Sequence, residues 1–294
     1  MKEFANVLGI HYSKPEVFLL NENGIGAAEY AGRIAYDSFE YSENDEIREL
    51  NDLSVLLTKG EDVSQVLPRV KNKVHSIESS ELLDSLAWVY HHHSVIEHSV
   101  LTFVILGTSR GVLQEIARHR IASLTVRSTR YTMHSLLIAF LISLKTQRPM
   151  AIFRELVLSL DMFVTDKIYN TLEIDGMFNK LLYQYDQDND AFIQACLSKE
   201  ALKEYSKIDF ASDYKLTFET FKNFKKKRNV GDPFKHLVTD NWKTDLVMTV
   251  NLRSLKNFFE LRDSGAAYFL IKELAKKMKK VTPKKYLKLM VKEH

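Results

Sequence analysis

Only two stretches of this chain read as buried strand, SVLTFVILG at 99–107 and DLVMTV at 245–250, and most of the remainder carries helical periodicity. Few strands interspersed among many helices imply an α+β or α/β single domain. Glycine and proline are scarce, with ten and five copies, and neither a low-complexity linker nor a repeat at solenoid spacing divides the sequence. A helix is expected within 26–40. A second is expected at 79–92, with Leu82, Leu83, Leu86 and Val89 on one stripe. Ser109 is placed to cap a helix running to about Arg118, with Val112, Leu113, Ile116 and Ala117 facing inward. Residues 136–230 are mostly helical in pattern, with breaks near Pro149, Gly176 and the DQDND run. Two more helices are expected, at 252–262 and at about 266–281. Residues 42–75, polar and broken by Gly60 and Pro68, read as an excursion with weak structure of its own, and 120–134 reads as a loop.

Composition excludes several classes. At 45% hydrophobic and 11% aromatic residues, the chain has enough apolar surface to offset its ordering entropy, so disorder is not expected. A net charge of +3 does not suit a globally basic nucleic-acid binder. The single cysteine, Cys196, excludes an intramolecular disulfide framework and a cysteine-based zinc site, and fits a reducing compartment. The opening MKEFANVLGIHYSKPE has no long apolar run after its lysine, so a signal peptide is not expected. The most apolar stretch, Leu136 to Leu144, is too short to span a bilayer. The expectation is a cytoplasmic protein with no membrane association.

Three segments could carry chemistry. RHRIASLTVRSTRY, 118–131, packs four arginines, one histidine and four hydroxyl residues into fourteen positions directly after a helix. Guanidinium groups bind phosphate bidentately, and hydroxyls and backbone amides add donors, so the segment reads as an anion site or as a solvated basic loop. HHHSVIEHS, 91–99, invites a metal reading through His91, His92, His93, His98 and Glu97, but its spacing is not that of HExxH. A helix C-terminus supported by histidines, or polar groups lining a cofactor pocket, compete with it. In NLRSLKNFFELR, 251–262, Leu255, Phe258 and Phe259 mark a buried face. Arg262 projects into that face and Arg253 and Asn257 share the opposite side. An arginine on an apolar stripe is costly unless it snorkels at the helix end or meets an anion or a polarised carbonyl. The lysines of the last helix read as a solvated face.

Together the three segments resemble the flavin-dependent thymidylate synthases. Arg118-His119-Arg120, seven residues and Ser128 match that family's RHR-x7-S signature. His92, Ser94, Glu97 and His98 match its upstream H-x-[ST]-x-x-E-H pattern, and Asn251, Arg253, Asn257 and Arg262 its downstream asparagine–arginine region. The resemblance covers about half the chain. It implies an α+β fold in which a mixed sheet is flanked by many helices. It implies one domain over 1–294 with insertions at about 42–75 and 165–230, assembled as a homotetramer with active sites shared between subunits. It further implies conversion of dUMP to dTMP with FAD as cofactor and methylenetetrahydrofolate and NADPH as co-substrates. By position, His92, Ser94, Glu97, Arg118, His119, Arg120, Asn251, Arg253 and Asn257 would hold FAD. Glu115, Arg118, Arg127, Ser128, Thr129, Arg130, Lys235 and Arg262 would surround dUMP, with Arg262 as the catalytic arginine beside the uracil. No metal is implied.

The chain departs from the family pattern at several points. Thr125-Val126 replaces a common Asn-Glu, Glu115 a common glutamine and Lys235 a common arginine, while Tyr268 and Leu270 replace polar residues. These losses sustain a competing expectation, a non-catalytic nucleotide- or nucleic-acid-binding protein on the same scaffold. A metal-dependent phosphohydrolase using the histidines is a third. Cys196 has no arginine or histidine within five residues to lower its pKa, which argues against a cysteine nucleophile.

Overall fold

The structure, a computed structural model, describes residues 10–225, 227 and 229–292. Residues 1–9, on which the expectation of no signal peptide mostly falls, lie outside the described residues. The chain divides into two compact units, one comprising 107–113 and 126–244 together with the N-terminal residues up to Lys14, the other 15–106, 114–125 and 245–294. Each is described by itself.

The second unit carries a four-stranded sheet of order β1-β2-β4-β3, with β1 at Glu16–Glu22, β2 at Val100–Ser109, β3 at Ala122–Val126 and β4 at Lys243–Asn251. The two strands expected from sequence are the inner pair. Alternation decides their faces: in β2 Leu101, Phe103 and Ile105 are fully buried, and in β4 Leu246, Met248 and Val250 are buried. The edge strand β1 escapes a sequence reading because its side chains are mostly exposed, Phe18 and Leu20 included. β1 pairs with β2 antiparallel, with Val17 opposite Ile105 and Leu19 opposite Phe103. Where its pairing is defined the sheet is antiparallel, so the expected mixed sheet is corrected.

The helix Phe269–Val281, expected at about 266–281, packs along β1 of this sheet, while α1 (Gly26–Tyr36), α2 (Asp45–Thr58), α3 (Leu67–His75) and α4 (Glu81–Trp88) pack on one another. Residues 42–75 thus hold two well-formed helices, contrary to the expectation of weak structure. The reason is a buried carboxylate. Glu29 of α1, wholly inaccessible, accepts hydrogen bonds from Ser42 Oγ at 2.6 Å and Asn44 Nδ2 at 2.7 Å, and its Oε1 lies 3.5 Å from Arg33. These bonds dock the polar entry to α2 onto α1, a tertiary effect that local composition does not encode. The stripe expected on 79–92 is right at Leu83 and Leu86, but Val89 lies beyond the helix end and is exposed.

The first unit is built on α6 (Thr129–Leu144), α7 (Pro149–Ser159), α8 (Lys167–Gln187), α9 (Asn189–Cys196), α10 (Lys199–Tyr205) and α11 (Tyr214–Lys222). α6 is buried nearly all round from Leu136 to Ile142, which is why its sequence looks like a short membrane stretch. Phe140 sits at the centre, its ring 5.5 Å from those of Phe178 and Phe192 and 6.0 Å from Phe153. Residues 165–230, expected as an insertion, supply much of this core through Ile174, Phe178, Leu181, Phe192 and Phe218. No helix among the described residues is long and apolar enough to cross a membrane.

Candidate active site

The helix α5 (Arg110–Ala117) ends just before the RHR triplet. Ser109 caps it as expected, its Oγ accepting from the Val112 N–H at 3.0 Å. Ile116 is buried, whereas Ala117 is exposed and does not join the inward stripe. The segment expected as one loop, 120–134, is instead strand β3 followed by the first turns of α6, because its Ser/Thr/Arg content masked the alternation of Ala122–Val126.

α12 (Leu252–Arg262) begins at Asn251, whose side chain accepts from the Ser254 N–H at 2.8 Å and so caps the helix. Leu252, Leu255, Phe258 and Phe259 are buried, which leaves Arg253 and Asn257 facing out, as expected. Arg262 closes the helix with its side chain only 15% exposed and every edge of its guanidinium engaged. Nη1 lies 2.7 Å from the Glu115 carboxylate, Nη2 donates to the Glu115 carbonyl at 3.3 Å, and Nε donates to His119 Nε2 at 2.9 Å. The arginine on the apolar stripe is therefore met by a carboxylate and an imidazole.

His119 must accept at Nε2 and so carries its proton on Nδ1. Burial pushes its pKa below the ordinary histidine value and the Arg262 cation lowers it further, with Glu115 opposing. Its ring meets Phe258 edge-on at 4.9 Å. Glu115 also lies 3.6 Å from Arg118.

One cavity of about 720 Å³ brings together Arg118, His119, Arg120, Arg253, Asn257 and Arg262, with His93 and Glu260 on its walls. A neighbouring recess of about 380 Å³ is lined by Glu97, Arg120, Ser123 and Asn251. The upstream motif is tied to the downstream one by Glu97, whose Oε1 is 2.5 Å from Arg253 Nη1. Spacing along the chain holds no signal for that bond. Ser94 precedes a short 3-10 turn, Val95–His98, that leads into β2. His92 instead faces Tyr36, its Nδ1 bonded to the phenol oxygen, and lines neither cavity. His93 Nε2 lies 3.0 Å from the Ala87 carbonyl in the last turn of α4, the helix-end role weighed for these histidines. Among the described residues, no group of three or more His, Cys, Asp or Glu side chains is placed to hold a metal ion.

The other expected substrate residues belong to the first unit. Ser128 is the N-cap of α6 in backbone geometry, yet its hydroxyl makes no capping bond. Arg127 and Arg130 are exposed, and Thr129 opens the helix. Arg130 Nε lies 2.7 Å from Asp232, and Lys235 Nζ lies 3.4 Å from the same carboxylate oxygen. Asp232, unremarked in the sequence, thus gathers two expected phosphate cations. Gly231 allows the approach, since a Cβ there would stand 2.8 Å from the Arg130 Cα and from the Thr129 carbonyl oxygen.

Cys196 is fully buried in the first unit, and burial pushes its thiol pKa up, so it is no nucleophile.

An antiparallel sheet with helices, a cationic cavity and a second cluster of cationic side chains make this an α+β protein with sites suited to anions. The family model described as "Thymidylate synthase complementing protein" matches residues 19–286, and the chain belongs to that family. Among curated relatives, the flavin-dependent thymidylate synthase of Wolinella succinogenes is 30% identical over 207 residues, covering 70% of this chain and 78% of the relative. That of Helicobacter pylori is 29% identical over 201 residues, covering 68% and 74%. A crystal structure of thymidylate synthase X from Helicobacter pylori, with FAD and dUMP, matches the fold with a TM-score of 0.55 at 24% identity, covering 94% of this chain and 97% of that one.

Proposed function

We infer that this chain is a flavin-dependent thymidylate synthase, an FAD-dependent methyltransferase that converts dUMP, methylenetetrahydrofolate, NADPH and a proton to dTMP, tetrahydrofolate and NADP. The observation that carries the reading is the single cavity holding the RHR triplet together with Arg253, Asn257 and Arg262. The competing readings, a binding-only protein and a metal-dependent hydrolase, have no comparable observation in their favour.

The donor set fits FAD. Three guanidinium groups, from Arg118, Arg120 and Arg253, match a diphosphate, and Asn257 offers both a donor and an acceptor to a flavin or adenine edge. When bound, FAD supplies the redox chemistry that uracil methylation requires. The chain's own residues do the rest. Arg118, His119, Arg120, Asn251, Arg253 and Asn257 bind the cofactor, with Ser94 and Glu97 shaping the approach and Glu97 fixing Arg253. Arg127, Ser128, Thr129, Arg130 and Lys235 hold the dUMP phosphate, and that remote binding orients the base. Arg262 faces the uracil, where a preorganised cation stabilises the negative charge that develops at N3 or O4 as the ring reacts. Glu115 and His119 hold that guanidinium in place. The enzyme works as a homotetramer with shared sites in the cytoplasm.

The test is the visible spectrum of the protein reconstituted with FAD under anaerobic conditions. Flavin bands that bleach with NADPH and return on adding dUMP and methylenetetrahydrofolate establish the cycle. A protein that retains no flavin would overturn the reading in favour of a binding-only protein.

A further inference from the structure

Lys256 is the one member of α12's buried face that carries a charge. It is only 6% exposed, and among the described residues it makes neither an ion pair nor a hydrogen bond. Its Nζ sits 3.8 Å from the centre of the Trp88 ring, a cation–π seat. Trp88 is itself fixed, donating from Nε1 to the Lys288 carbonyl at 2.8 Å. A buried ammonium is costly, and an aromatic face alone compensates only part of its lost hydration. The local surroundings make it costlier. Burial lowers its pKa and the Lys292 cation does so too, while Glu260, one helical turn on, opposes them without closing an ion pair.

Lys256 nevertheless lines the cavity together with its neighbours in sequence Arg253 and Asn257. Arg118, Arg120, Arg253, Arg262 and Lys256 there face one lining carboxylate, Glu260; Glu115 engages Arg118 and Arg262 and Glu97 engages Arg253, which still leaves five cations against three carboxylates. Such an excess of positive charge is relieved by an anion entering the cavity.

We propose that Lys256 is a further cofactor-binding residue, its ammonium seated on Trp88 and directed to the phosphates of FAD. The inference rests on the proposed function above. A lysine so placed gives up little rotamer freedom on binding, because the indole already holds its stem and head. It also brings a point charge where the neighbouring arginines bring planar forks.

The test uses the full-length apoprotein titrated with FAD and, separately, with riboflavin, which lacks phosphate. Lys256→Met keeps the apolar stem and removes the charge; Lys256→Arg keeps the charge. Lys256→Met is expected to weaken FAD binding about tenfold, the value of one charge-assisted contact, and to leave riboflavin binding unchanged. It should also flatten the salt dependence of FAD binding, and Lys256→Arg should restore the affinity to within about threefold. Unchanged FAD affinity in a Lys256→Met protein that melts like the parent overturns the proposal. Equal losses of FAD and riboflavin overturn it too, and mark Lys256 as a structural lysine. Wild-type protein that fails to bind FAD sinks the parent reading instead.

Discussion

Arg262 and Glu115 stand 147 positions apart in sequence and form a 2.7 Å ion pair, in which the same glutamate also accepts a backbone hydrogen bond from the guanidinium. The residue expected to act on the uracil is thus already oriented by the helix that precedes the RHR triplet. Arg262→Ala is expected to lower dTMP formation by about 10²–10³-fold while FAD remains bound, because its proposed partner is the pyrimidine. Stopped-flow measurement of flavin reoxidation alongside FAD titration checks both halves. Normal turnover in the variant would remove Arg262 from the chemistry.

Glu115→Gln keeps the shape of that contact and removes its charge. Loss of one partner of a partly buried pair loosens the other, so kcat is expected to fall about tenfold. The KM for dUMP should change less than kcat. A selective rise in KM with kcat intact would instead make Glu115 a direct ligand of the nucleotide.

His119 imposes a pH limit. Its pKa lies below the ordinary value, and only the neutral ring can accept the Arg262 Nε–H. A depressed histidine keeps its contribution above the unfolded pKa and loses it as pH falls through the folded one. Activity is therefore expected to decline on the acid side, with an apparent pKa below 6.5, the ordinary value. His119→Asn, which still offers an acceptor, should flatten that limb of the kcat/KM profile; an unchanged limb would assign the titration elsewhere.

Glu29 holds the entry to α2. Glu29→Ala leaves the buried Arg33 with Glu43 as its one remaining carboxylate and strips two hydrogen bonds. A loss of about 3 kcal/mol is expected, read as a lower midpoint in urea unfolding. A midpoint shift near zero would mean that Ser42 and Asn44 find water as readily as Glu29.

Cys196→Ala tests the absence of a cysteine mechanism. The thiol is buried among the helices of the first unit, so the variant should be destabilised by about 1 kcal/mol and keep its dTMP-forming kcat. Loss of turnover in a folded variant would return the cysteine to the mechanism.

The spacing of residues along the chain was sufficient for a good part of this protein. Period-two and period-3.6 patterns set the inner strands and most helices, because burial on one face leaves its mark on neighbouring positions. The three motifs in order identified the chemistry, since RHR-x7-S and its flanking patterns name side chains directly. Where local pattern and environment part, the sequence was silent. Residues 42–75 look unstructured because their helices are docked by the buried carboxylate of Glu29, and β1 is exposed enough to carry no clear alternation. The pairings that tune the site, Glu115 and His119 with Arg262, Glu97 with Arg253 and Asp232 with Arg130, join residues on different elements. So does the seating of Lys256 on Trp88. Periodicity records which face of an element is buried; only the packed chain decides which charge each buried group meets, because that depends on elements brought together from distant parts of the sequence.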